Sequence, residues 1–193
     1  MKKILFIISI LSLSLLVSCT FDECQDDDTC YFDKAMLSDD EFHCTQIQNS
    51  AIKTSCVSEI AIKREDIKLC KSINSSYCID AIAENNQNPS ICKEIVDGAW
   101  YDICHFNLAI NTTDSSICRD IGSDSLTDEC HLQLAEKLDD VDLCYFIVDS
   151  TTRDICITRI AKSTLDSNLC YNLEDPMFKA NCYFSIATKT GKE

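Results

Sequence analysis

From Asp40 onward the apolar positions fall into two alternating clusters, each built around a cysteine. In the first cluster an aliphatic residue precedes the cysteine and another follows three residues after it. These pairs are Leu69 and Ile73 around Cys70, Ile91 and Ile95 around Cys92, and Ile117 and Ile121 around Cys118, then Leu143 and Ile147 around Cys144 and Leu169 and Leu173 around Cys170. At Cys44 the leading place is taken by His43, with Ile47 following. Such spacing puts all three side chains on one helical face and predicts a short helix of about two to three turns. In the second cluster a cysteine is followed by Ile or Leu at the fourth position and Ala at the fifth: Ile60 and Ala61, Ile82 and Ala83, Leu108 and Ala109, Leu134 and Ala135, Ile160 and Ala161, Ile186 and Ala187. This one-sided pattern predicts a longer helix, with the alanine allowing a neighbouring backbone to approach closely. Four residues before each first-cluster cysteine stands Asp40, Asp66, Asn88, Asp114, Asp140 or Asp166. Each is suited to accept hydrogen bonds from the orphaned amides of a first helical turn, and Pro89 fits the first helical position. Each unit therefore reads as a helical hairpin.

From Cys78 to Cys182 the cysteines advance alternately by 14 and 12 residues, a repeat with a period of 26. The predicted fold is all-α, a solenoid-like array of disulfide-linked helical hairpins. Cys92 and Cys104 lie symmetrically about Gly98, so a turn at Asp97-Gly98 between antiparallel helices would bring them to one height. Pairing within the hairpin also employs all fourteen later cysteines: Cys24 with Cys30, Cys44 with Cys56, Cys70 with Cys78, Cys92 with Cys104, Cys118 with Cys130, Cys144 with Cys156 and Cys170 with Cys182. Links across unit boundaries are the alternative, and they would strand Cys24 and Cys182. Two units depart from the period. Cys70 and Cys78 are only 8 apart, a loss of about one helical turn at the hairpin tip. Cys24 and Cys30 are closer still, but Ala35 and Asp40 follow Cys30 in register, as in a degenerate N-terminal cap. A 26-residue hairpin is shorter than helical repeats of roughly 34 residues that stack without covalent help, so disulfides are expected to stand in for core size.

The N-terminus has a different character. Lys2 and Lys3 precede a mostly apolar run from Ile4 to Val17, too short to span a bilayer at about 1.5 Å per residue. The run closes on Leu16-Val17-Ser18-Cys19. Charge, apolar length and closing motif are those of an export signal, and residues 1–19 resemble the lipobox signal peptide of bacterial lipoprotein precursors. That resemblance implies cleavage before Cys19, a lipid on its sulfur and acylation of the new amino terminus. Several acyl chains, at about 0.8 kcal/mol per buried methylene, would hold the protein on a membrane. The expected organisation is a signal peptide over 1–18, a lipidated tether and degenerate cap over 19–39, and a six-unit repeat domain over 40–193. An exported chain lies in a disulfide-permissive compartment.

Composition narrows the chemistry. Three Gly and two Pro in 193 residues argue against an all-β fold, which needs turn residues at each reversal. A net charge of −15 removes the counterion-release drive toward phosphate backbones, so no nucleic-acid partner is expected. With every later cysteine paired, no thiol nucleophile is expected. His105 and His131 follow Cys104 and Cys130 and read as exposed and non-essential; no metal or other cofactor is expected beyond the lipid on Cys19. The acidic stretches Asp26 to Asp28 and Asp39 to Glu41 lack the spacing and glycine of a calcium loop and read as helix-start charges and a solvated tether. Asn74-Ser75-Ser76 and Asn111-Thr112-Thr113 match the glycosylation acceptor pattern. Aromatic residues crowd the last two units, and Tyr145, Phe146, Tyr171, Tyr183 and Phe184 are the candidate partner-binding residues. Tyr145 and Tyr171 align with Lys71, Lys93 and Arg119, so the repeat itself requires no aromatic there. The expected function is a lipid-anchored, non-enzymatic binding or scaffold module of the cell envelope, held to the membrane by its lipid and contacting another protein. The alternatives are an envelope hydrolase or redox enzyme, and a structural or antigenic surface coat.

Overall fold

The Asp or Asn that opens each unit caps a helix at Asp66, Asn88, Asp140 and Asp166, while Asp40 and Asp114 accept the amides of Phe42 and Ser116 without being the caps themselves. The computed structural model describes residues 24–191, so the lipobox and Cys19 lie outside the described residues. Among the described residues all regular structure is helical. The described residues divide into two compact units, the first ending at Cys56 and the second beginning at Val57.

In the first unit, helix α1 (Asp28–Ser38) is N-capped by Asp27, whose carboxylate accepts from the Thr29 amide, and its apolar side buries Tyr31 and Ala35. Cys24 is bridged to Cys30, and the one-turn helix α2 (Phe42–Thr45) is tied to helix α3 (Ser50–Arg64) by the Cys44–Cys56 bridge. The Asp40 carboxylate accepts from the Phe42 amide at the start of α2.

The second unit continues with α4 (Ile67–Ser72), α5 (Ser76–Asn86), α6 (Pro89–Cys92), α7 (Gly98–Thr112), η1 (Ile117–Asp120), α8 (Asp124–Leu138), α9 (Val141–Cys144), α10 (Ser150–Thr164), η2 (Ser167–Asn172) and α11 (Pro176–Thr190). Disulfides join Cys70 to Cys78, Cys92 to Cys104, Cys118 to Cys130, Cys144 to Cys156 and Cys170 to Cys182, each within one hairpin. The Cα atoms of these pairs are between 5.5 and 5.9 Å apart. Their sulfurs lie inside two apolar clusters, one around Ile79, Ile82 and Ile95 and one running from Leu108 to Ile186.

The first element of each hairpin is shorter than the hydrophobic spacing predicts. It is one α turn in α6 and α9 and a 3₁₀ segment in η1 and η2, because a second cap follows only five residues after the cysteine. Asp97, Asp149 and Asp175 occupy that place and accept from amides of the following helix. Two helix starts within nine residues leave no room for a second turn. The same geometry makes Gly98 the first residue of α7 rather than part of a turn.

Long helices close by a recurring device. The residue after each one is left-handed: Asp39, Glu65, Gln87, Thr113, Asp139, Leu165 and Gly191 all have positive φ. The amide of the next residue then reaches back to the alanine carbonyl, as in Asp66 to Ala61 at 2.8 Å and Asp140 to Ala135 at 3.0 Å. This is a Schellman closure, and it feeds the Asp or Asn into place as the next N-cap. From Ala35 to Ala161 the alanine is thus fixed twice, by a fully buried methyl and by a carbonyl that closes the helix. Only Gly191 uses the residue type to which left-handed backbone costs least; the others give up about 1 kcal/mol each.

Candidate functional site

The two positions after the first cysteine of each hairpin are the ones the scaffold leaves open. In the second unit they read Lys71 and Ser72, Lys93 and Glu94, Arg119 and Asp120, Tyr145 and Phe146, Tyr171 and Asn172, and all ten are exposed. The repeat aligns them in a column. The first position of one hairpin reaches the second position of the next: Lys71 forms an ion pair with Glu94, and the Asn172 amide donates to the Tyr145 hydroxyl at 3.1 Å. Chemistry along the column shifts from charged to aromatic. Tyr145 is 49% exposed and Tyr171 75%. Phe146 stacks on the His131 ring with centroids 5.5 Å apart, and the Lys179 ammonium lies 5.1 Å from the Tyr171 ring centre.

Tyr183 and Phe184 belong elsewhere. One period earlier their places hold Ile157 and Thr158, both buried between hairpins, and two periods earlier His131 and Leu132, also buried. Tyr183 and Phe184 are exposed because no further hairpin packs on α11 among the described residues. Phe178 is half-buried against the larger apolar cluster.

His105 and His131 are not exposed, contrary to the sequence reading; both are inside. Their position, directly after the second cysteine, is filled by Ile79 and Ile157 in neighbouring units and packs one hairpin on the next. Nδ1 of His105 bonds the Tyr101 carbonyl at 2.9 Å, and Nδ1 of His131 bonds the Thr127 carbonyl at 3.0 Å. Burial pushes the His131 pKa below its ordinary value. Among the described residues no cluster of three His, Cys, Asp or Glu side chains is placed to hold a metal ion.

A set of aspartates that the sequence reading passed over joins the hairpins together. Two residues before the second cysteine stand Asp102, Asp128 and Asp154, and each carboxylate accepts from two consecutive amides of the next hairpin's turn. Asp102 takes Gly122 and Ser123 at 2.8 and 3.1 Å, Asp128 takes Val148 and Asp149 at 2.8 and 3.0 Å, and Asp154 takes Glu174 and Asp175 at 3.1 and 2.8 Å. Within the first unit Asp28 does the same with Gln48 and Asn49. Ser76 holds this position in the shortened hairpin. There α5 begins two residues before its cysteine, whereas α7, α8, α10 and α11 begin six before theirs. The missing turn leaves a groove of about 580 Å³, edged by Lys71, Ser76, Tyr77, Val96, Asp97 and Trp100.

Asp80 is a buried carboxylate with a different fate. Its Oδ2 accepts from the Asn107 side chain at 3.2 Å while Oδ1 has no partner among the described residues. Burial, reinforced by the charge of Glu84, lifts its pKa to about 6. An acid whose folded pKa exceeds its unfolded value releases its proton later in the folded state, so stability falls as pH rises from about 4 to about 6. Replacing Asp80 with Asn is therefore expected to raise the melting temperature at pH 7.5, by up to about 2 kcal/mol of stability, and to leave it unchanged near pH 3.5. Thermal melts of both proteins at the two pH values read this directly; an equal gain at both would show that the carboxylate's charge is not the cause. Comparison of the chain with protein-family models, with curated proteins and with solved structures finds no match.

Proposed function

We propose that the chain is a lipid-anchored protein of the cell envelope that acts as a non-enzymatic binding or scaffold module, with another protein as its partner. The observation that supports this most directly is the division of labour within the repeat. Its recurring cysteines, alanines and aspartates are consumed by bridges, helix closures and caps, while the column after the first cysteine is exposed and differs in chemistry from hairpin to hairpin. A repeat scaffold presenting variable side chains at fixed spacing suits recognition of an extended surface. Tyr145, Phe146 and Tyr171 form its aromatic end, and such residues contribute large contact area at protein interfaces. The lipobox resemblance supplies the anchor at Cys19, and the pairing of all fourteen described cysteines suits an oxidising compartment.

Substituting Tyr145 and Tyr171 together by Lys is expected to lower capture of partner protein from envelope extract by at least tenfold while helical content and disulfide pairing stay as in the parent. Unchanged capture with the fold intact would overturn the assignment of this face. The Cys19→Ala variant tests the anchor separately: it is expected to lose incorporation of labelled fatty acid, and unchanged labelling would overturn the lipoprotein reading.

A further inference from the structure

The groove over the shortened hairpin carries a second inference, which names a ligand class for the binding module proposed above. After Cys92 the chain makes the same turn as in the other hairpins, with the Ile95 amide donating to the Cys92 carbonyl at 3.0 Å as Ile147 does to Cys144 at 3.2 Å. In that turn the next two amides are the ones a carboxylate holds elsewhere. Gly122 and Ser123 receive Asp102, Val148 and Asp149 receive Asp128, and Glu174 and Asp175 receive Asp154, while in the first unit Gln48 and Asn49 receive Asp28. At Val96 and Asp97 the carboxylate is missing, because the residue two before Cys78 is Ser76, which stands at the start of α5. Neither amide meets an acceptor among the described residues. The loss of a helical turn opens the groove onto which these amides border, and it leaves Tyr77 and Trp100 partly exposed along its sides.

We infer that this groove receives a helical turn of a partner protein bearing an Asp or Glu side chain, whose carboxylate takes up the Val96 and Asp97 amides. The ligand chemistry is read from the molecule itself, since four carboxylates occupy the corresponding pair of amides in other hairpins. That the carboxylate arrives on a helical turn follows from two features. A helix carries Asp102, Asp128 and Asp154 in the others, and the shortened hairpin lacks the helical turn that precedes this position there. A free anion would have to approach a chain of net charge −15 with Lys71 already paired to Glu94 at the groove's edge, whereas a helical segment adds apolar contact with Tyr77 and Trp100.

The test uses the disulfide-intact chain, isotopically labelled, with the backbone amide resonances of Val96 and Asp97 as readout. The probes are a blocked peptide with the sequence Asp124–Leu138 carrying Cys130→Ala, the same peptide with Asp128→Asn, and sodium acetate. The first peptide is expected to shift both amide protons downfield and to slow their hydrogen exchange, with the Asn peptide binding at least tenfold more weakly. The Ser76→Asp variant, which restores a carboxylate at the clamp position, is expected to abolish this response. Absence of any shift at Val96 and Asp97, or equal binding of the two peptides, would overturn the site. Acetate acting at the same concentration as the peptide would overturn the helical occupant and leave a small-carboxylate site. Peptide binding retained by the Ser76→Asp protein would place the peptide elsewhere. None of these outcomes touches Tyr145 or Tyr171, so failure here and failure of the aromatic column are read independently.

Discussion

Reduction of the disulfides in the absence of denaturant is expected to unfold the second unit, seen as loss of most far-ultraviolet helical dichroism. Closing a loop of about a dozen residues removes on the order of 3 kcal/mol of chain entropy from the unfolded state, and five hairpins of this unit each carry such a bridge. Two or three of these contributions amount to the whole stability of an ordinary domain. The hairpins have little to set against that loss, since their first elements are single turns and the sulfurs themselves fill the apolar clusters. Removing one central bridge by joint Cys144→Ala and Cys156→Ala substitution is expected to cost about 3 kcal/mol, plus the cavity left where two fully buried sulfurs stood. Removing Cys24 and Cys30, whose bridge closes a loop of separation 6 and leaves Cys30 half-exposed, is expected to cost less. A reduced chain that keeps its helicity and melts within a few degrees of the oxidised one would refute the view that bridges replace core.

Replacement of Asp154 by Ala is expected to cost about 3 kcal/mol, more than any other single carboxylate in the repeat. The side chain is 2% exposed, and its two oxygens serve the amides of Glu174 and Asp175 at the entrance to α11. Hydrogen bonds to a charged acceptor contribute about 1.5 to 3 kcal/mol, and their loss here strands partly buried donors. Asp154→Asn keeps one acceptor of the right shape and is expected to lose roughly half as much. Asp102→Ala, at a half-buried position, falls between them. Chemical denaturation gives the totals, and amide exchange at Glu174 and Asp175 shows whether the loss is local to this junction. A cost below about 1 kcal/mol for Asp154→Ala would mean that water replaces the carboxylate and that packing alone joins the hairpins.

These two expectations also mark what the sequence discloses. Hairpins, caps at Asp66, Asn88 and Asp140, and the all-α class were legible because capping side chains and apolar spacing are local signals. The brevity of α6 and α9 was not, since the aliphatic residue three positions after the cysteine packs from a turn as well as it would from a helix. Asp102, Asp128 and Asp154 recur with the period in plain view, yet their partners are backbone amides, which leave no residue type to recognise. An acidic residue on a polar helix face then looks like any solvated charge. His105 and His131 misled for the opposite reason, their polarity suggesting surface while a carbonyl one turn earlier bonds one nitrogen of each ring inside. The left-handed closures escaped notice because five residue types other than glycine would have had to announce them, among them the Thr at 113 and the Leu at 165.

The clamp also sets the grammar by which such a chain can change length. Each aspartate reaches 20 and 21 residues ahead, so the junction between hairpins is written entirely within one period. Excising residues 115–140, one full period, would carry Asp102 from Gly122 and Ser123 onto Val148 and Asp149, the partners Asp128 now holds. Whole hairpins are interchangeable cassettes in this sense, added or withdrawn without altering any remaining joint, while a loss of anything less than a period, as between Cys70 and Cys78, leaves a visible scar in the joint that follows.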